Sequence, residues 1–309
     1  MKIVFAGTPE FAVPSLQILL DSGHEVCAVY TQPDRPAGRG RKLQASPVKE
    51  LALSAGIPVF QPLTLRTDED FQQISSFDAD LMVVVAYGMI LTQAVLDVPK
   101  LGCLNVHASL LPRWRGAAPI QRSLMAGDEK TGVTIMRIVR KLDAGDMLHK
   151  EEYVIDSLDT ASVLHDKLSV LGATGLSKVL AQLEAEDIQP ESQDETLVTY
   201  AEKLEKSEAF IDWTQTASEL ALKIRGLNSW PVAQTLYQGN VLRIWAAEVV
   251  ENVSSATLVP GFVSCVDKHL NVATGSDFLR LLEVQLPGGK RMPVNAFISA
   301  HDVNGVKLG

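Results

Sequence analysis

The chain has 309 residues, of which 46% are hydrophobic and 21% charged, enough for two globular domains with a sizeable apolar core. Its formal net charge of −9 argues against a protein that coats nucleic acid non-specifically. No apolar run reaches the length of a membrane span, the first residues lack a signal-peptide pattern, and the 3 cysteines lie far apart, which together favours a reducing cytoplasm.

The first half of the chain alternates short apolar runs with helical stretches. Strands are predicted at residues 3–6, 26–30, 59–60, 81–86 and 103–107. Thr8 is expected to cap, and Pro9 to begin, a helix over residues 9–22. Continuous Val- and Ile-rich runs separated by helices indicate a parallel sheet covered on both faces, and ligands of such sheets bind beyond the carboxyl ends of the strands. A site is therefore expected after residues 86 and 107.

The pattern changes after residue 130. Two further strands are predicted at 132–137 and 147–155, and a stripe of leucines predicts a long helix over 160–186. The polar segment that follows is interpreted as a linker. Beyond it come a helix at 217–225 and evenly spaced short strands at 233–237, 241–249, 261–266, 270–273 and 278–284. This spacing is typical of a small antiparallel barrel.

The predicted fold is thus α/β: a Rossmann-like, doubly wound, mostly parallel sheet, followed by a small OB-like antiparallel β-barrel domain. The predicted domains are a catalytic domain over 1–188, a linker over 189–206 and a barrel domain over 207–309. The turn Gly7-Thr8-Pro9 lacks the G-x-G-x-x-G spacing, so it favours a tight turn rather than a dinucleotide site.

Two polar residues at the end of the fifth predicted strand are candidates for catalysis. Asn105 and His107 are two apart, so an extended strand points both side chains to the same side. An amide donor beside an imidazole suits acyl-group chemistry, because one stabilises an oxyanion while the other moves a proton. Asp143, in a Gly-containing turn, would orient the imidazole if it folds against His107; loop acids more often cap helices or face solvent. No metal-ligand spacing is present.

The loop over residues 32–42 is rich in Pro and Gly and carries one acid among its cations. Those cations are Arg35, Arg39, Arg41 and Lys42. The loop is either a solvated connection or a flexible arm that contacts phosphate, a task for which the planar guanidinium is suited.

Longer motifs extend these patterns. NVHASLLPRWRG (105–116) resembles the signature of the formyltransferases that use 10-formyltetrahydrofolate, and LDAGD (142–146) resembles their second active-site motif. The match is closest to the members that act on initiator tRNA, through FAGTP (5–9), QPDRPAGRG (32–40), GAAPIQ (116–121), TLVTYAEK (196–203) and the C-terminal barrel.

That resemblance implies roles for individual residues. Asn105, His107 and Asp143 would carry out the transfer. The folate site would be lined by Ala86, Tyr87, Gly88, Met89, Ile90, Ser109, Leu110, Leu111 and Pro112. Arg35, Arg39, Arg41 and Lys42 would grip the acceptor end of the tRNA.

The expected activity is transfer of a formyl group from 10-formyltetrahydrofolate to the α-amino group of methionine on initiator tRNA, without a metal. We expect a cytoplasmic, monomeric enzyme that does not bind membranes. The alternatives are a formyltransferase acting on an amino sugar or glycinamide ribonucleotide, and an RNA-binding protein with an inert catalytic half. The basic loop and second domain favour tRNA as the acceptor.

Overall fold

The structure, a computed structural model, describes residues 1–37, 42–251, 259–303 and 305–309. The chain packs as two units. Unit 1 comprises Met1–Pro119, Lys130–Val154 and His165–Ala201, and unit 2 comprises Ile120–Glu129, Ile155–Leu164 and Glu202–Gly309. Much of the segment interpreted as a linker therefore packs within unit 1. The domain boundaries at 188 and 206 stay a prediction.

Unit 1 contains a mixed main sheet and, outside it, further short strands. Its strands are β1 (Lys2–Gly7), β2 (Glu25–Tyr30), β3 (Arg35–Ala37), β4 (Lys42–Gln44), β5 (Val59–Phe60), β6 (Leu81–Val85), β7 (Cys103–His107), β8 (Arg115–Gly116), β9 (Lys130–Arg137), β10 (Met147–Val154) and β11 (Tyr200–Ala201). Within the described ranges, the main sheet has the order β10-β9-β7-β6-β1-β2-β5. The parallel pairs are β7–β6, β6–β1, β1–β2 and β2–β5. Strand β9 is antiparallel to both β7 and β10. The predicted Rossmann-like, mostly parallel sheet is confirmed.

The helices are α1 (Val13–Leu20), α2 (Pro47–Ser54), α3 (Asp68–Ser75), α4 (Gln93–Leu96), α5 (Pro119–Met125), α6 (Ala161–Glu184), α7 (Ala217–Leu227) and α8 (Val294–Ala300). Short 3₁₀ turns lie at Glu10–Ala12, Glu195–Leu197 and Lys206–Ala209. In the described part of the chain, no helix is both long and apolar enough to span a membrane.

The middle of the sheet determines where a ligand can enter. β1 and β6 are buried and apolar on both faces, as the continuous Val/Ile runs predicted. The chain proceeds outward from β1 through β2 to β5, then returns to β6 on the other side of β1. The strand order therefore reverses between β1 and β6, which opens a crevice beyond Gly7 and Val85.

The prediction that Thr8 caps the first helix is wrong. A 3₁₀ turn precedes α1, which begins at Val13 with Ala12 as its N-cap residue. The Thr8 hydroxyl instead donates to the carbonyl oxygen of Tyr87 at 3.2 Å, so this side chain joins the loops that follow β1 and β6.

Unit 2 contains an antiparallel sheet. Its strands are β12 (Gln234–Tyr237), β13 (Asn240–Val250), β14 (Val263–Val266), β15 (His269–Ala273), β16 (Phe278–Gln285) and β17 (Met292–Pro293). Among the residues described there, the order is β12-β13-β16-β15-β14, with β17 paired to β16. Register shifts around Ala246 bend β13, and the sheet curls. The predicted antiparallel second domain is confirmed, whereas the sequence pattern did not predict α8.

Candidate active site

The candidate site lies at the carboxyl end of β7. Leu104 and Val106 are buried on one side of this strand, so Asn105 and His107 share the other side. His107 is buried and Asn105 is half-buried. The strand period thus places the amide and the imidazole together, as predicted.

Both nitrogens of the His107 ring face oxygen atoms that only accept hydrogen bonds. Nε2 lies 2.9 Å from the carbonyl oxygen of Trp114, and Nδ1 lies 3.7 Å from Oδ2 of Asp143. The first contact requires a hydrogen on Nε2. The second is an ion-pair distance rather than a hydrogen bond. The structure therefore brings the His107 ring and the Asp143 carboxylate together, as the sequence analysis expected if the turn folded against the strand.

Asp143 is held in a tight turn between β9 and β10. Its backbone has φ +46°, a left-handed conformation that is uncommon outside glycine. Its Oδ2 accepts a hydrogen bond of 2.8 Å from the backbone N–H of Gly116. The carboxylate is consequently fixed from one side by a neutral donor while the same oxygen faces the His107 ring.

The loop after β7 is braced by threonine side chains. The Thr134 hydroxyl on β9 donates to the Ser109 carbonyl at 2.7 Å and accepts from the Leu111 N–H at 3.1 Å. The Thr199 hydroxyl accepts from the Trp114 N–H at 2.9 Å. Because Trp114 also supplies the carbonyl that faces His107, Thr199 contributes to the placement of the ring.

The residues predicted to line a folate site differ in exposure. Ala86, Gly88 and Ile90 are exposed beyond β6, and the Ile90 side chain is 75% exposed. Met89, Leu110 and Pro112 are half-buried, whereas Tyr87, Ser109 and Leu111 are buried. Burial also raises the pKa of the Tyr87 phenol above its usual range. A ligand at this edge would therefore meet the exposed residues Ala86, Gly88 and Ile90 first.

The basic loop is only partly described. Arg35 on β3 and Lys42 on β4 are exposed, and Arg35 donates a hydrogen bond to the side chain of Gln32. Arg39 and Arg41 lie outside the described residues. Gln32 in turn donates to the Tyr87 and Gly88 carbonyls at 3.2 and 3.1 Å, so the start of this loop is tied to the segment after β6.

The base of the same loop is fixed by an ionic cluster. Lys49 Nζ lies 2.8 Å from Oδ2 of Asp34 and 2.8 Å from the side-chain oxygen of Gln61. Hydrogen bonds from Lys49 and Gln61 hold the pKa of Asp34 below its ordinary value.

Three residues with clear contacts at the site were not singled out by the sequence analysis: Gln32, Gln193 and Thr199. Gln193 and Thr199 belong to the segment interpreted as a linker, and their partners are 48 or more positions away in the chain. No local sequence pattern predicts such a contact. For Thr199, the sole available signal was its place inside the TLVTYAEK motif.

Comparison with protein-family models identifies the family to which the chain belongs. A family model described as formyl transferase matches residues 1–180, and one described as formyl transferase, C-terminal domain, matches residues 203–302. The chain therefore belongs to the formyl transferase family.

Curated relatives of the chain carry the name of one kind of formyl transferase. The chain is 55% identical over 309 residues to a methionyl-tRNA formyltransferase of Methylococcus capsulatus, covering 100% of both chains. It is 54% identical to the protein of that name from Hydrogenovibrio crunogenus, covering 100% of this chain and 99% of the other. The protein of that name from Coxiella burnetii is 52% identical, with 97% and 96% covered.

Solved structures share the fold at low identity. The N-formyltransferase from Helicobacter canadensis, in complex with folinic acid and dTDP-3-aminofucose, has a TM-score of 0.70 at 16% identity and covers 94% of this chain and 100% of its own. HypX from Aquifex aeolicus, in complex with tetrahydrofolic acid, has a TM-score of 0.65 at 16% identity, with 99% and 48% covered. At such identities the likeness shows the fold alone. Over the described positions, no group of 3 or more His, Cys, Asp or Glu side chains is placed to hold a metal.

Proposed function

We propose that the protein transfers a formyl group from 10-formyltetrahydrofolate to the α-amino group of methionine on initiator tRNA. The observation that carries this proposal is the full-length identity of 55% to a relative named for that reaction. The paired side chains at the end of β7 support it, because they supply what acyl transfer to an amine requires.

In the proposed mechanism the neutral amine attacks the formyl carbon. A new C–N bond forms and the carbonyl oxygen becomes an oxyanion, which Asn105 and protonated His107 stabilise. Asp143, 3.7 Å from the ring, favours the imidazolium. The C–N10 bond then breaks, and the proton lost by the amine passes to N10 of the departing tetrahydrofolate.

The co-substrate would lie at the reversal of strand order between β1 and β6. This edge presents the exposed Ile90 and the backbone of residues 86–90, and it runs on to Leu110 and Pro112 after β7. An exposed apolar side chain beside backbone at the sheet edge suits a flat heterocycle with polar edges. The fit is thus to the pterin end of the folate.

We assign the acceptor end of the tRNA to the basic loop. Arg35 and Lys42 are exposed and available to phosphate, and Arg39 and Arg41 extend the same run of cations in the sequence. On a protein of net charge −9, this local cluster offers a polyanion a place to bind. We further propose that the enzyme acts as a monomer in the cytoplasm. Light scattering of the purified protein tests whether it is a monomer.

The test is formylation of charged initiator tRNA with 10-formyltetrahydrofolate. We expect formyl-methionyl-tRNA from the wild-type protein, and a loss of about 10²–10³ in the single-turnover rate for Asn105→Ala and for His107→Ala. A dTDP-linked amino sugar serves as the competing acceptor. Formylation of the sugar but not of the tRNA would overturn the proposed acceptor, and nearly unchanged rates in both variants would overturn the assigned residues.

A further inference from the structure

Gln193 joins the turn that carries Asp143 to the loop that contacts His107. Its side-chain Nε2 donates to the carbonyl oxygens of Asp143 and Gly145, at 2.8 Å each. Its side-chain oxygen accepts from Arg115 Nε at 3.0 Å and from Arg115 Nη2 at 2.8 Å. One amide therefore uses both donors and its acceptor to hold two separate segments of chain.

The Arg115 guanidinium fixes the orientation of the Gln193 amide. Its side chain is 0% exposed, and it follows Trp114, whose carbonyl faces His107 Nε2. Nη2 also donates to Glu195 at 3.0 Å, and hydrogen bonds from Lys141 and Arg115 lower the pKa of Glu195. Because the guanidinium is fully buried and both Nε and Nη2 donate to the Gln193 oxygen, it has little freedom to move. Gln193 is thus held in one orientation, with its donors aimed at the turn.

The turn needs such support because Asp143 has a left-handed backbone. On the other side, the carbonyl of Asp146 accepts from the Arg137 N–H at 2.9 Å, and a Cβ built on Gly145 would lie 1.9 Å from the Arg137 carbonyl oxygen. The turn is therefore pressed against the end of β9 at Gly145 and Asp146. Gln193 holds the Asp143 and Gly145 carbonyls of the same turn.

We propose that Gln193 is a positioning residue for the formyl transfer, fixing the Asp143 carboxylate beside His107. The inference rests on the proposed function. It requires an amide at this position: a glutamate keeps the acceptor for Arg115 but places a carboxylate against two carbonyl oxygens, and an apolar side chain lacks both the donors and the acceptor.

Gln193→Glu is the decisive variant because it retains the bond to Arg115 and removes the bonds to the turn. We expect its single-turnover rate of formyl transfer to fall about 10- to 100-fold, the size of effect that small misplacements of a reacting group produce. KM for the tRNA and for 10-formyltetrahydrofolate should stay within about twofold, since no substrate contact is removed. Measuring with enzyme in excess makes the rate independent of the fraction of folded protein.

Ser192→Ala is the matched control. The Ser192 hydroxyl donates a hydrogen bond of 2.9 Å to the Asp146 carboxylate. It therefore contacts the same turn from the position next to Gln193, but it reaches neither Asp143 nor Arg115. This variant should keep the wild-type rate. A Gln193→Met variant, which keeps the side-chain length without any polar group, should lose at least as much activity as Gln193→Glu.

A double-mutant cycle with Asp143→Asn separates positioning from general loosening of the structure. If Gln193 acts through Asp143, Gln193→Glu should cost less than about twofold once Asp143 is already replaced. Additive losses, or a wild-type rate in Gln193→Glu, would overturn the inference.

Deuterium exchange gives a readout that does not depend on the reaction. The Gly116 N–H bonded to Asp143 should lose protection in Gln193→Glu and keep it in Ser192→Ala. An inactive wild-type protein that still shows this difference refutes the proposed function alone. An active wild-type protein without the difference refutes the role of Gln193.

Discussion

Replacing Gly116 by alanine tests how closely the candidate site depends on backbone geometry. Gly116 has φ +121°, outside the region that L-residues normally adopt. A Cβ built there lies 2.7 Å from the Ala201 carbonyl oxygen. Gly116 also donates its N–H to Asp143 Oδ2 at 2.8 Å. One added methyl group therefore acts on both the packing of β8 against β11 and the placement of the acid.

The size of the effect follows from these distances. Carbon and carbonyl oxygen make tolerable contacts from about 3.3 Å, so the backbone at Gly116 must move by about 0.6 Å. A similar shift would stretch the bond to Asp143 to about 3.4 Å, where a hydrogen bond is weak. Backbone strain of about 1–3 kcal/mol and overpacking of about 1–3 kcal/mol together lower the free energy of unfolding by about 2–6 kcal/mol. The rate of formyl transfer should fall about 10- to 100-fold.

Single-turnover formylation with excess enzyme and urea-induced unfolding measure these two quantities. Gly23→Ala is the matched control in the same unit, because a Cβ there meets no atom within 4 Å and its φ is not in the left-handed region. That variant should keep its rate and match or exceed the wild-type stability by about 0.5 kcal/mol. A Gly116→Ala protein with wild-type stability and rate would refute the reasoning.

Two further predictions concern charge. Arg122 pairs with the partly buried Glu208 at 2.6 Å, so Arg122→Met should lower the free energy of unfolding at pH 7 by about 2 kcal/mol. Arg122 holds the pKa of Glu208 below its ordinary 4.5; the stabilisation is therefore present above pH 4.5 and is lost as the pH falls through the lowered value. Denaturation of both proteins between pH 7 and pH 3 should show the difference shrinking only at the acid end. Arg39→Ala, predicted from sequence alone, should raise KM for tRNA, reduce the salt slope of binding by about one charge and leave folate binding unchanged, as measured by titration at several salt concentrations.

The central strands of the main sheet in unit 1 were predictable because a strand buried on both faces must be apolar throughout. The limits of β7, Cys103–His107, match the predicted residues, and β6 differs by one residue at its end. With β7 in place, the period of two fixes Asn105 and His107 on one side without further information. The placement of both side chains at this strand end was therefore readable from the sequence.

The local environment of the acid was not predictable. That Asp143 would face His107 was a conditional expectation, because it depends on a turn folding back across the sheet edge. The donors that hold the turn, Gly116 N–H and the Gln193 amide, are 27 and 50 positions away from Asp143. Thr8 failed as a helix cap for the same reason: its hydroxyl has a partner at Tyr87, 79 positions away, which a local rule does not include.

The segment interpreted as a linker shows why polar composition misled at this point. A left-handed turn at Asp143 leaves backbone carbonyls without partners inside any regular element, and buried carbonyls require donors. Apolar side chains cannot supply such donors, whereas the side-chain amide of Gln193 does. Gln193 donates to the turn and Thr199 orients Trp114, while neighbouring β11 pairs with β8. Polar side chains that resemble a solvated connection here supply hydrogen bonds to the candidate site, and residues 189–201 of the segment pack within unit 1.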